Sequence, residues 1–204
     1  MTSGCPICGA DGGRCEAATV TSGPEPVEIR WGTILLRPWA AADDDAVLAA
    51  ATDPDIARWN GSAVRTREDA ADWIARRADW SQGDHVSLAV VDAMDGVLVG
   101  SVSLHQIDRD QGDAEIGYWT MPAARDRGVA SGAVTAMCRW AFLQLPIDRI
   151  ELLHAVENPA SARVAARAGF TQEGRLRQSY RYGDGRKHDE LLWSLLRGDL
   201  PIGS

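Results

Sequence analysis

Three apolar runs follow one another in the middle of the chain with only tight turns to join them. Residues 86–91, 97–107 and 115–121 have strand length and strand composition. Ala93-Met94-Asp95-Gly96 and the stretch from Arg109 to Gly112 carry the Asp and Gly that turns demand. Connections this short bring each strand back beside the last, so the centre of the chain reads as an antiparallel meander. After Pro122 the period changes. Residues 129–143 have helical apolar spacing and stop before Pro146, and residues 149–156 are again a strand carrying Ile150, Leu152 and Leu153.

The flanks extend this pattern. Residues 33–37 read as a first strand stopped by Pro38. Helical stretches follow over 43–51, with an acidic first turn, and over 53–59. Thr66 with Asp69 makes a capping box for a helix carrying Trp73, Ile74, Arg77 and Trp80, ended at Gly83-Asp84. Residues 159–168 form a short helix closed by Gly169. Residues 171–182 and 187–196 form a hairpin around Gly183-Asp184-Gly185. The order β, helices, βββ, α, β, α, ββ predicts an α/β (α+β) fold, a mixed and mostly antiparallel sheet with helices on both faces. A domain over residues 31–204 accounts for all of it.

Residues 1–30 lack apolar periodicity and read as a Cys-rich flexible tail. Cys5-Pro6-Ile7-Cys8 has the tight spacing that presents two thiolates to one zinc ion, with Cys15 as a third ligand and no His for a fourth. A zinc knuckle, a tail of reduced thiols and an oxidised Cys5–Cys8 pair are all open readings, the last disfavoured by a reducing compartment. Cys138, inside the helical stretch, reads as a buried small hydrophobe. With 21 basic and 29 acidic residues the net charge is −8, which excludes non-specific nucleic-acid binding and suits a cationic partner. No basic leader precedes an apolar core and no apolar run spans a bilayer, so a cytoplasmic protein without membrane contact is expected.

The chemistry concentrates where the strand at 115–121 runs through Pro122-Ala123-Ala124-Arg125-Asp126-Arg127-Gly128 into Val129-Ala130-Ser131-Gly132. The first turn of a helix leaves N–H groups unpaired and partly positive, and small residues let an anion approach them. A phosphate or pyrophosphate fits. The loop is neither a Walker A loop nor a dinucleotide Gly-x-Gly-x-x-Gly loop.

Arg125-x-x-Gly128-x-Ala130 resembles the pyrophosphate loop of the GNAT superfamily of acyl-CoA-dependent N-acyltransferases. Glu115-Ile116-Gly117-Tyr118-Trp119 resembles the strand before that loop in the RimJ/RimL branch. Glu157-Asn158-Pro159-Ala160-Ser161 with Ala168-Gly169-Phe170, Gly174-Arg175-Leu176-Arg177 and Leu35-Arg37-Pro38 continue the likeness, which covers residues 31–198. It implies two parallel strands, ending at Met121 and Val156, that splay apart around the pantetheine arm of acetyl-CoA. Backbone of Trp119, Thr120 and Met121 would meet that arm. The N–H groups of Arg125, Asp126, Arg127, Gly128, Val129, Ala130 and Ser131 would hold the pyrophosphate. Asn158 would contact the arm and Ser161 the thiol sulfur.

The implied reaction is attack of a primary amine, on a protein N-terminus or a small molecule, on the acetyl thioester. Glu115 is the candidate carboxylate to receive the amine's proton, although it lies about 13 Å along the strand from Trp119. It also reads as a structural hydrogen-bonding residue, and His105 is the alternative base. The Tyr that many relatives place seven residues after Asn158 is here Ala165. Ser161 is then the nearest hydroxyl for the leaving thiolate, unless it merely caps its helix. Tyr180 lies near the expected acceptor site, where it either donates a hydrogen bond or merely packs, and a backbone N–H near Met121 is the candidate oxyanion donor. Trp59, Trp73 and Trp80 either shape an acceptor pocket or seal helices onto the sheet, and one of Arg163, Arg167, Arg175 and Arg177 meets the 3′-phosphate if any does. A succinyl-CoA-dependent enzyme, a non-catalytic acyl-CoA sensor and a homodimer remain compatible with the same residues.

Overall fold

The computed structural model describes residues 23–61 and 63–200. Cys5, Cys8 and Cys15, and with them the zinc and tail readings, lie outside the described residues. An eight-stranded sheet has the order β1 (Ile29–Trp31), β2 (Ile34–Pro38), β3 (Val86–Asp92), β4 (Leu98–Asp108), β5 (Asp113–Thr120), β6 (Arg149–Ala155), β8 (Lys187–Leu196), β7 (Thr171–Arg181). The sheet therefore begins at Ile29, inside the stretch read from sequence as tail. The helices are α1 (Asp44–Thr52), α2 (Pro54–Asn60), α3 (Arg67–Ala78), α4 (Val129–Gln144) and α5 (Pro159–Arg167).

Both faces of the sheet are covered. On one, Leu36, Leu88, Val102, Leu104, Ile116 and Ile150 pack with Val134, Met137, Cys138 and Phe142 of α4. On the other, Trp39, Ala89, Val91 and Leu98 pack with Val47 and Ala51 of α1 and Ala70 and Ile74 of α3. β3 lies between these layers, buried at every residue from Val86 to Val91, which is why it reads as a continuous apolar run. Cys138 is fully buried, and burial pushes its thiol pKa up. The capping box forms: Thr66 Oγ1 accepts from Asp69 N at 3.1 Å, and Asp69 accepts from Thr66 N at 2.9 Å. α3 ends at Ala78, before the expected Gly83. Trp80 lies past its end, buried, with its indole N–H on Arg77 O (3.0 Å).

All neighbouring strands are antiparallel except β5 and β6. That pair is joined by α4, since parallel strands need a crossover. It is only three residues deep: Asp113↔Arg149, Ala114↔Ile150 and Glu115↔Glu151. Beyond Glu115, β5 stays on β4 as far as Thr120, and β6 stays on β8 as far as Ala155. The sheet opens between them.

A docked hairpin holds the rim of this opening, and a buried ion pair anchors the start of α1. The hairpin between β7 and β8 docks on α2, with Gly183 N donating to Arg58 O (2.8 Å). A Cβ at Gly183 would lie 1.9 Å from Ala57 O. Tyr182 and His188 pack edge-on against Trp59. Before α1, Asp43 is buried and takes both Arg37 Nη atoms at 2.8 Å, plus Ala40 N at 2.9 Å. Burial opposes its charge, but these donors outweigh burial and hold the carboxyl below the ordinary aspartate range.

Gly183→Ala is expected to lower unfolding stability by at least about 2 kcal/mol in urea titration, because backbone meets the new methyl. Asp43→Asn strands Arg37 and is expected to cost about 3 kcal/mol at pH 7. Because its folded pKa is depressed, the charged Asp43 stabilises above pH 3.8 and loses that contribution as pH falls further. The acid limb of stability against pH is therefore expected to be flatter in Asp43→Asn than in the parent.

Candidate active site

The opening leaves a definite set of backbone groups unpaired. Met121 N donates to Val99 O (2.9 Å), and the same register pairs Trp119 with Ser101 and Gly117 with Ser103. In an antiparallel ladder alternate residues face alternate partners. The odd residues 117, 119 and 121 therefore face β4. The N–H and C=O of Ile116, Tyr118 and Thr120 face the gap left by β6. This corrects one expectation: the Met121 N–H is occupied and offers no donor to an oxyanion, and Trp119 turns its backbone toward β4.

A cavity of about 560 Å³ follows the gap. Trp119, Thr120, Arg125, Asp126, Gly128, Val129, Ala130, Ser131, Asn158 and Ser161 line it; Met121 and Arg127 do not. Arg127 turns away, 3.8 Å from Asp92. The Arg125 side chain bonds Asp53 and Asp55 and so ties the loop to the start of α2. The backbone beside it offers donors to an anion. Asp126 and Gly128 have φ of +59° and +79°, left-handed values that fold successive N–H groups into a concavity. Gly128 is the N-cap of α4, with no side-chain cap and no acid in the first turn. Ser131 Oγ turns back to Gly128 O (3.1 Å). The first-turn N–H groups of Val129, Ala130 and Ser131 are left for a ligand, and the donor set fits a pyrophosphate.

Across the cavity, α5 opens with Asn158, whose Oδ1 accepts from Ser161 N (3.2 Å). Asn158, not Ser161, is the cap. That frees the Ser161 hydroxyl, which lies 2.6 Å from the Tyr118 hydroxyl. Tyr118 is a residue that the sequence reading does not single out. Burial raises its phenol pKa to about 12, only partly offset by the Ser161 hydrogen bond, so it keeps its proton at neutral pH. When Tyr118 donates to Ser161 Oγ, the Ser161 proton is free to point into the cavity. Ala165, which stands where the tyrosine is missing, is fully buried.

A second cavity, of about 740 Å³, lies on the α3 side. It shares Ile116, Gly117, Tyr118, Trp119 and Leu153 with the first, so one passage runs through the open sheet. Glu115 and Tyr180 line this second half. Glu115 meets His105 across the β4–β5 ladder (Nε2 to Oε1, 3.0 Å) and accepts from Gln106 Nε2 (2.9 Å). A bulge after His105, with Gln106 at φ +51°, turns the Gln106 amide onto that carboxylate. The two candidate bases are thus one hydrogen-bonded pair. Tyr180 is 55% exposed at the mouth, stacked edge-on against Tyr182. Sequence reasoning also misses Glu190, buried at the wall and held by Ser179 Oγ (2.7 Å) and Tyr182 Oη (2.8 Å). Burial and that carboxylate together push the Tyr182 pKa up. Trp59 and Trp73 line the cavity, whereas Trp80 belongs to the core.

Among the described residues no group of His, Cys, Asp and Glu is arranged to hold a metal ion, and no helix is long and apolar enough to cross a membrane. The acetyltransferase (GNAT) domain family matches residues 33–171. YdaF of Bacillus subtilis (strain 168), an inferred ribosomal N-acetyltransferase, is 37% identical over 103 residues, half of this chain and 56% of that protein. The ribosomal-protein-serine acetyltransferase of Escherichia coli (strain K12) is 34% identical over 82 residues, 40% of this chain and 46% of that protein. The chain thus spans about half the length of these two relatives. The structure of Mycobacterium smegmatis RimJ in complex with CoA-disulfide superposes with a TM-score of 0.76 at 24% identity, covering 87% of this chain and 90% of that one. The open β5–β6 pair, the uncapped loop before α4 and the matched residues lead to one conclusion: the chain belongs to the GNAT acetyltransferase family, on its RimJ/RimL-like branch.

Proposed function

We propose that this chain transfers an acetyl group from acetyl-CoA to a primary amine, on a protein N-terminus or a small molecule. The observation that carries the reading is the passage through the sheet, with an anion-binding helix start on one side and a carboxylate–imidazole pair on the other. The relatives named for ribosomal proteins favour an N-terminal amine.

Acetyl-CoA supplies an activated thioester. The residues of this chain supply the rest. Ile116, Tyr118 and Thr120 offer backbone groups to the amides of the pantetheine arm, as an added strand would take them. Val129, Ala130 and Ser131 offer N–H groups to the pyrophosphate, and Arg163 and Arg167 line the same cavity as cations for a further phosphate. Ser161 gives its hydroxyl proton to the departing sulfur and takes in its place the proton that the acylated nitrogen sheds as the tetrahedral intermediate collapses. Tyr118 holds that hydroxyl in place without ionising.

The acceptor enters from the α3 side. An α-amino group has a pKa near 8 and a lysine-like amine about 10, so each must lose a proton before attack. Glu115 with His105 receives it through water, since the pair sits on the cavity wall and not beside Ser161. Tyr180 offers a hydrogen bond at the mouth.

Thiol release from acetyl-CoA is to be measured against N-terminal peptides, polyamines and aminoglycosides, with succinyl-CoA in parallel. Turnover with one amine class is expected; tight acetyl-CoA binding without turnover would identify a sensor instead. Ser161→Ala is expected to lower kcat about 10²-fold and Tyr118→Phe about 10-fold, each with the KM for acetyl-CoA within about twofold. An unchanged kcat in Ser161→Ala would remove Ser161 from the proton route.

A further inference from the structure

The α3-side cavity contains a cation with no anion beside it. Arg77 extends from α3 to the sheet, where Nη1 donates to Ser103 Oγ (3.3 Å) and its guanidinium lies 5.0 Å from the Trp73 ring centroid. Neither partner is charged. Arg37, Arg125, Arg149 and Arg175 each hold a carboxylate within 3.0 Å. No carboxylate lies within ion-pair distance of Arg77 among the described residues. Burial lowers the Arg77 pKa, and Arg76 repels it further. A guanidinium stays charged all the same, so its half-buried position is unfavourable until an anion arrives.

A second observation points to the same place. His85 Nδ1 bonds Asp84 Oδ1 (2.8 Å), but His85 Nε2 is buried with no hydrogen-bond partner among the described residues. Buried polar atoms are normally satisfied. His85, Arg76, Arg77 and Ser103 all line the cavity that Glu115 and His105 line. Ser103 pairs with Gly117, and His105 with Glu115, two residues further along the same face. At about 3.4 Å per residue, roughly 7 Å separates the two rows. A single small ligand, or the first residues of a peptide, spans that distance.

We propose that Arg77 anchors an anionic group, a carboxylate or a phosphate, carried by the acceptor amine, and so sets which amines this enzyme accepts. The proposal rests on the acetyl-transfer reading. An acceptor of this class presents its amine to the Glu115–His105 row and its anion to Arg77, where the planar fork matches both oxyanions. Polyamines and other wholly cationic amines lack the second contact.

The test uses acceptor pairs that differ only in the anion: an α-amino acid and its amide, O-phosphoserine amide and serine amide, and a Ser-Glu and a Ser-Gln peptide. In the parent protein the anionic member of at least one pair is expected to have a kcat/KM 10-fold or more above its partner, carried by KM. The pair that responds separates a nearby carboxylate, a phosphate and a peptide side chain. Arg77→Gln is expected to bring that ratio to within twofold, and Arg77→Lys to keep part of it. Melting temperature and acetyl-CoA binding establish that each variant is folded. The proposal is overturned if no pair differs by more than twofold, or if the preference survives Arg77→Gln. Calorimetry of the CoA-loaded protein with N-acetyl-O-phosphoserine amide against N-acetylserine amide, and with the acetylated Ser-Glu against Ser-Gln peptides, reads the subsite without turnover. Selective binding there with no amine turned over would overturn the acetyl-transfer reading and leave the anion site standing; equal binding within each pair would overturn the anion site alone.

Discussion

Backbone N–H and C=O groups need partners, and in this fold the middle of the sheet does not supply them all. β5 and β6 share three registers and then part, each staying with its outer neighbour. The groups of Ile116, Tyr118 and Thr120 are left facing a gap, where a lost hydrogen bond costs most if water is excluded. The loop before α4, the start of α5 and the docked hairpin all border that gap. A sheet that closed completely would have a firmer core and nowhere to hold an extended ligand.

The two halves of the passage are built by different means. The cofactor half uses the main chain: left-handed residues at Asp126 and Gly128 and an uncapped helix start. Main-chain donors tolerate side-chain change, which suits a ligand common to a whole family. The acceptor half uses side chains placed by irregularities. One bulge brings Gln106 to Glu115. Another, between Leu176 and Tyr180, puts Ser179 on Glu190 and turns Tyr180 to the mouth. The acceptor half therefore depends on the identity of its side chains in a way the cofactor half does not.

All the strands but β1, the helices and the crossover are legible in the sequence, because apolar period and turn chemistry act over a few residues. The capping box at Thr66 and the loop at Arg125–Gly128 are legible for the same reason. The pairs to which the proposal assigns the chemistry are not. Tyr118 and Ser161 are 43 residues apart and meet only because Asn158 takes the capping role that Ser161 also suits. Glu115 and His105 are visible as separate candidates, but their register depends on where the meander turns. Arg77 shows in the sequence only as one more arginine on a helix, since the missing counter-ion is a property of its surroundings. Glu190 carries no local signal.

The clamp of the hairpin on α2 has a consequence for the order in which the molecule forms. Trp59 and Arg58 on one side, and Tyr182, Gly183 and His188 on the other, lie more than 120 positions apart along the chain. Contacts between such distant segments form slowly, because a long loop must close before they gain anything. The meander and α4 are local and form without them. During synthesis the acceptor wall therefore cannot close until the chain has run on past His188, and the nascent protein passes through a stage with the meander and α4 assembled and the passage still open on one side.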